Sequence, residues 1–191
     1  QDFRRLIAFL EEQTGKTLDH ERLRAVIEEI RRQDELICEI QELQTLQPNP
    51  VPGIYTLFLY AGNFLRGGRP EYTRLLEAML AGLRPGSAPL IASPPERARG
   101  IFAYIDHYTT DLRFWNWLET QGVSHLGCIL SAFWQKEASY ASDRQEETYA
   151  IDCTSLDGML DTLADQMSRM PMVKSIRGPY DAPHMWLEDT L

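Results

Sequence analysis

Apolar residues recur along the first half of the chain at helical spacing, and glycine and proline divide them into four segments. Phe3, Leu6, Ile7 and Leu10 form one stripe that Gly15 ends, which predicts an amphipathic helix over about 2–14. Asp19 is placed to cap the next helix, with Leu18 and Leu23 as a hydrophobic staple across its start. Leu23, Val26, Ile27 and Ile30 line one face of that helix. The stripe then shifts to Leu36, Ile37, Ile40 and Leu43, so the helix is expected to run to about Leu46. Pro48, Pro50, Pro52 and Gly53 break it, because each proline lacks a donor and restricts the residue before it. The nearly unbroken apolar run from Ile54 to Leu65 reads as a buried helix. Pro70 opens another, carrying Tyr72, Leu75, Leu76, Met79, Leu80 and Leu83, and Arg84-Pro85-Gly86 closes it.

The pattern changes after a stretch rich in proline, 87–98, which reads as a linker with a weak strand candidate at Leu90-Ile91-Ala92. Ile101 to Ile105 is a short apolar run ending in Asp106-His107, as a buried strand entering a loop does. Thr110 or Asp111 can cap a helix whose buried stripe is Leu112, Trp115 and Leu118, and Gly122 suits its C-terminal stop. Val123 to Ile129 is a second apolar run. Strand, helix, strand in that order predicts a parallel βαβ unit. After a polar excursion from Gln135 to Tyr149, an amphipathic helix carries Leu156, Met159, Leu160, Leu163, Ala164 and Met167, with Thr154 and Ser155 as capping candidates. The expected architecture is therefore α/β: a helical region over 1–86, the linker, and over 99–191 a partial Rossmann-like parallel-sheet lobe.

Composition narrows the function. Twenty-eight acidic residues against nineteen basic ones give a net charge of −9, which excludes a nucleic-acid platform and disfavours an anionic membrane surface. No apolar run reaches the length of a spanning helix. Cys38, Cys128 and Cys153 are odd in number and lack a CxxC spacing, which fits a reducing compartment, expected to be the cytoplasm. The absence of an initiator Met and the helical pattern at both ends suggest an excerpt of a longer polypeptide.

Chemistry-bearing motifs are sparse: the chain has no GxGxxG, Walker loop, GxSxG or HExxH. His125 and Cys128 are three positions apart, which on a regular strand sends them to opposite faces and argues against a shared metal. Asp106, His107 and Tyr108 follow the first strand, where open parallel sheets bind ligands, although polar residues there often do no more than end a strand. Cys128 closes the second strand on the same side; it is either a cluster-side thiolate or a small buried hydrophobe. Cys38, within an apolar stripe, and Cys153, before a helix, read as structural or incidental. Trp115, Trp117, Phe133 and Trp134 read as core.

The blocks FLEEQTGKTLDHERLRAVIEEIRRQDELICEIQEL and PEYTRLLEAML resemble the central helical region of the 2-hydroxyacyl-CoA dehydratase and benzoyl-CoA reductase subunit family. RGIFAYIDHYTTDLRFWNWLETQGVSHLGC resembles the start of that family's second α/β lobe, and LDGMLDTLADQMSRMPMVKSIRG its later helix and loop. The order of the blocks, from about Phe3 to the end of the chain, carries the resemblance. It implies a cysteine-held iron-sulfur cluster, an acyl-CoA substrate, an ATP-dependent activator protein and a partner subunit or second copy. The implied chemistry is either a radical dehydration of the thioester or delivery of low-potential electrons to it. Asp106, His107 and Tyr108 become candidate substrate-binding residues and Cys128 the cluster candidate. The family's cysteine falls slightly later, which makes Ser131 the alternative position. The alternative function is a non-catalytic assembly or docking module for a partner subunit, and the aromatic residues Phe133, Trp134, Tyr140 and Tyr149 suggest an interface for dimerisation.

Overall fold

A computed structural model of the protein describes residues 2–83, 94–102, 112–128 and 151–169. The four expected N-terminal helices are present: α1 (Asp2–Thr14), α2 (His20–Gln44), α3 (Tyr55–Arg66) and α4 (Pro70–Leu83). Asp19 caps α2, its carboxylate accepting from the Arg22 N–H at 3.0 Å. Pro70 occupies the first position of α4, where its missing N–H costs nothing.

The main core lies between α2, α3 and α4, where Leu36, Ile37 and Ile40 meet Leu59, Leu76, Met79 and Leu83, with Cys38 buried among them. Three consecutive residues of α2, Leu36, Ile37 and Cys38, are buried, and successive helical residues point 100° apart, so the middle of this helix is enclosed on most sides. The enclosure also takes in polar residues. Gln33 is fully buried; its side chain donates to the Arg69 carbonyl (3.0 Å) and Thr73 Oγ1 (2.9 Å) and accepts from the Gly68 N–H (2.9 Å), which locks α2 to the α3–α4 turn. Asp34 beside it is 5% exposed, and its Oδ1 has no hydrogen-bond partner among the described residues. Burial, aided by the neighbouring Glu35, pushes its carboxyl up to about 8.

Strand β1 (Ala98–Phe102) and strand β2 (Val123–Cys128) pair in parallel through α5 (Leu112–Thr120), and α6 (Leu156–Arg169) follows. Among the described residues the protein is thus mostly helical with a small two-stranded parallel sheet. Gly122 takes φ +72° after α5, a conformation that favours glycine, and its carbonyl receives the N–H groups of Arg97 (2.8 Å) and Ala98 (3.2 Å). Those bonds start β1 three residues before the apolar run that announced it. Ser155 caps α6, accepting from the Gly158 N–H at 2.9 Å. Among the described residues no helix is long and apolar enough to cross a membrane.

The structure corrects several burial expectations. Phe58, Phe64 and Leu65 of α3 are exposed, because α3 packs against α4 and leaves another face open; the helix buries only Thr56 and Leu59. Ile101 of β1 is also exposed. Trp115 is buried, whereas Trp117 is 56% exposed, since a spacing of two puts side chains on nearly opposite sides of a helix. Phe133, Trp134, Tyr140 and Tyr149 lie outside the described residues.

Candidate functional site

The two parallel strands end side by side, Phe102 paired with Cys128, so their carboxyl ends share one edge of the sheet. Of the candidate residues, the backbone of Cys128 stands at this edge. Asp106, His107, Tyr108 and Ser131 lie outside the described residues. The register shifts on the way: Gly100 pairs with His125 but Phe102 with Cys128, three residues of β2 against two of β1. Strict alternation therefore does not hold between His125 and Cys128, and the opposite-faces argument loses its basis there. His125 is nonetheless committed elsewhere, to a joint beneath the strand.

In that joint His125 Nδ1 and Thr56 Oγ1 share a hydrogen bond of 3.0 Å, and the imidazole stands edge-on to Trp115 with ring centroids 5.3 Å apart. Glu119 of α5 accepts the Gly53 N–H at 2.8 Å. Burial raises the Glu119 carboxyl, and the bond from Gly53 partly opposes this. Gly53 is itself close-packed: a Cβ there would lie 3.3 Å from Trp115 Cε3. The Pro/Gly break after α2 thus seats the start of α3 directly against α5 and β2.

A second joint is built on Glu96. One carboxylate oxygen accepts the Asn49 N–H (3.0 Å) and the Ser124 hydroxyl (2.6 Å), and the other accepts Arg99 Nε at 2.6 Å. Arg99, then Ser124 and Asn49, hold the Glu96 carboxyl down at about 2. The Arg99 guanidinium also donates to the Thr45 carbonyl (3.2 Å) and to the Leu46 carbonyl, covering the C-terminal end of α2 with a cation, the sign its dipole favours. Both β-strands and the α2 terminus are tied to one carboxylate. Sequence reasoning missed Thr56, Glu96, Arg99, Glu119 and Ser124. Their partners, apart from the Glu96–Arg99 pair, are 28 to 69 positions away, so no local spacing marks them.

A cleft of about 740 Å³ opens between α2 and the segment before α6, with Arg24, Glu28 and Cys153 among its walls. Arg24 is already engaged, donating to the Cys153 carbonyl at 3.0 Å and pairing with Glu21 at 2.8 Å. Burial, then Glu28, raises the Cys153 thiol, which favours its protonated form. Cys38 is likewise buried in the helical core. Among the described residues no three His, Cys, Asp or Glu side chains gather as metal ligands.

A family model described as 2-hydroxyglutaryl-CoA dehydratase, D-component, matches residues 1–189 of the chain. No curated protein and no solved structure matches it.

Proposed function

Because the chain belongs to the 2-hydroxyglutaryl-CoA dehydratase D-component family, we propose that it is part of an iron-sulfur subunit of a 2-hydroxyacyl-CoA dehydratase or benzoyl-CoA reductase type enzyme. The carrying observation is the family match over nearly the whole chain, which agrees with the order of sequence blocks. In this reading the enzyme acts in the cytoplasm on an acyl-CoA thioester, as a lyase or as an oxidoreductase, with a partner subunit or second copy and an ATP-dependent activator. The helical region 1–86 and a Rossmann-like lobe over 99–191, joined by the linker 87–98, form its two parts.

The described residues offer a cluster one candidate ligand, Cys128, and no complete ligand set, so the remaining ligands have to come from elsewhere. The cluster, when bound, supplies low-potential electrons. This chain's contribution is a braced sheet behind the edge at Cys128: His125 on Thr56 fixes the middle of β2, and Glu96 holds Ser124 and Arg99 together at the amino ends of the two strands. Asp106, His107 and Tyr108 are the proposed substrate-side residues, and Ser131 the alternative to Cys128.

Iron analysis and electron paramagnetic resonance on the anaerobically purified and reconstituted full-length protein test the reading. A cluster signal is expected; its absence after reconstitution refutes the cluster assignment. A docking module for a partner subunit is the second reading, favoured by the exposed Phe58, Phe64 and Leu65 on α3 and Leu75 on α4. Partner capture by a protein that takes up no iron would favour it.

A further inference from the structure

The cleft between α2 and the segment before α6 is walled by charges that the fold leaves partly unspent. Arg24 is oriented from two sides: its Nε donates to the Cys153 carbonyl at 3.0 Å, and its Nη1 to the two Glu21 carboxylate oxygens at 3.0 and 2.8 Å. Those bonds use Nε and Nη1 and leave the Nη2 donors without a partner among the described residues. Glu28, one turn along α2, also lines the cleft; it is exposed and enters no hydrogen bond or ion pair among the described residues. Asp152 on the other wall is a second carboxylate, held by the Thr154 N–H (2.9 Å) and hydroxyl (2.6 Å). Arg31, a further turn along α2, lines the cleft and pairs with Glu35 at 3.5 Å. Buried Ile27 and half-buried Ile151 supply the apolar part of the wall. Arg24 and Arg31 balance Glu28 and Asp152, so the cleft favours neither a simple anion nor a simple cation. Opposite charges one helical turn apart, about 5–6 Å between their Cβ atoms, suit a ligand that carries both signs on neighbouring atoms.

We propose that this cleft binds an aliphatic α-amino acid, with its carboxylate on Arg24 Nη2, its ammonium between Glu28 and Asp152, and its side chain on Ile27 and Ile151. The volume of about 740 Å³ lies within the range of small-molecule sites, about 300–1,000 Å³. A guanidinium already fixed by Glu21 and the Cys153 carbonyl loses little freedom when a carboxylate docks on its remaining edge. The ligand spans α2 and the segment leading into α6 and ties the two together. Binding to a cleft that stays open to water is weak, with a Kd of about 1 mM. The inference goes beyond the proposed function and does not rest on the cluster assignment.

Isothermal titration of L-valine into the full-length protein tests it. Two truncated probes accompany it: 3-methylbutanoate, which lacks the ammonium, and 2-methylpropylamine, which lacks the carboxylate. Saturable binding of L-valine is expected, with each truncated probe about tenfold weaker. Glu28→Gln changes an exposed side chain that the fold does not use, and should weaken L-valine about tenfold without weakening 3-methylbutanoate, because only the ammonium contact is lost. Arg24→Lys keeps the charge, removes the fixed fork, and should weaken L-valine and 3-methylbutanoate alike. No saturable binding up to about 20 mM L-valine overturns the proposal, since that is well above the expected Kd. It is also overturned if 3-methylbutanoate binds as well as L-valine, or if Glu28→Gln binds L-valine like the wild type. Iron content of the same samples reports on the cluster assignment separately.

Discussion

Asp34 should make the folded protein weaker as pH rises, and replacing it with asparagine should remove that dependence. The carboxyl moves from 3.8 to about 8 on folding, with burial the main cause and Glu35 the second. Between these values the unfolded chain has released the proton and the folded chain still holds it. Fewer protons are bound in the unfolded state, so raising the pH favours unfolding by up to about 1.4 kcal/mol per pH unit. The loss begins near pH 4, reaches roughly 4 kcal/mol by pH 7 and levels off above about pH 8, where the folded carboxyl ionises too. Asp34→Asn keeps the shape and cannot ionise, although an amide left without partners at this buried site costs about 1 to 3 kcal/mol at every pH. Urea titrations of both proteins from pH 4 to 9 separate the two effects. The wild type should start as the more stable protein at pH 4 and lose ground steadily to the variant up to about pH 8. Two stability curves that run parallel across this range would refute the argument, because Asp34 would then be ionised in the folded state and paired with a cation.

Glu96 has the opposite sign: its carboxyl is held down from 4.5 to about 2, so its stabilisation is present above the unfolded value of 4.5 and is lost as pH falls towards 2. Glu96→Gln should lower the melting temperature at pH 7, with the gap from wild type closing between about pH 4 and 2 in calorimetry. Gly62→Ala would set a Cβ 2.8 Å from Tyr72 Cζ, whose hydroxyl is pinned to the Leu59 carbonyl at 2.9 Å, and should cost about 1–3 kcal/mol in chemical denaturation. A smaller loss would mean that α3 and α4 shift apart freely. In the intact protein Cys128→Ala should remove iron, whereas Cys38→Ala should keep it and cost on the order of 1 kcal/mol of packing. Iron retained by Cys128→Ala would transfer the cluster-side position to Ser131.

The helices and strands were legible because each carries its own local signal. Asp19 before α2, Pro70 at the start of α4, Gly122 after α5 and Ser155 before α6 act within one turn, and one turn is what a sequence window contains. The parallel pairing of β1 and β2 followed from their order around a helix. Periodicity names the apolar face of a helix without saying which neighbour covers it. Leu36 and Leu6 both sit in helical stripes, yet the first is enclosed by α3 and α4 and the second faces water, because α1 is held along another edge, where Arg4 bonds Asp157 of α6. The polar joints were out of reach for a related reason. Asp34 looks like any surface acid of a long helix, and Glu96 like a residue of a linker; burial makes one a protonated acid, and Arg99, Ser124 and Asn49 make the other a fixed anion. A carboxyl's charge depends on what surrounds it, and those surroundings come from residues far away in the chain.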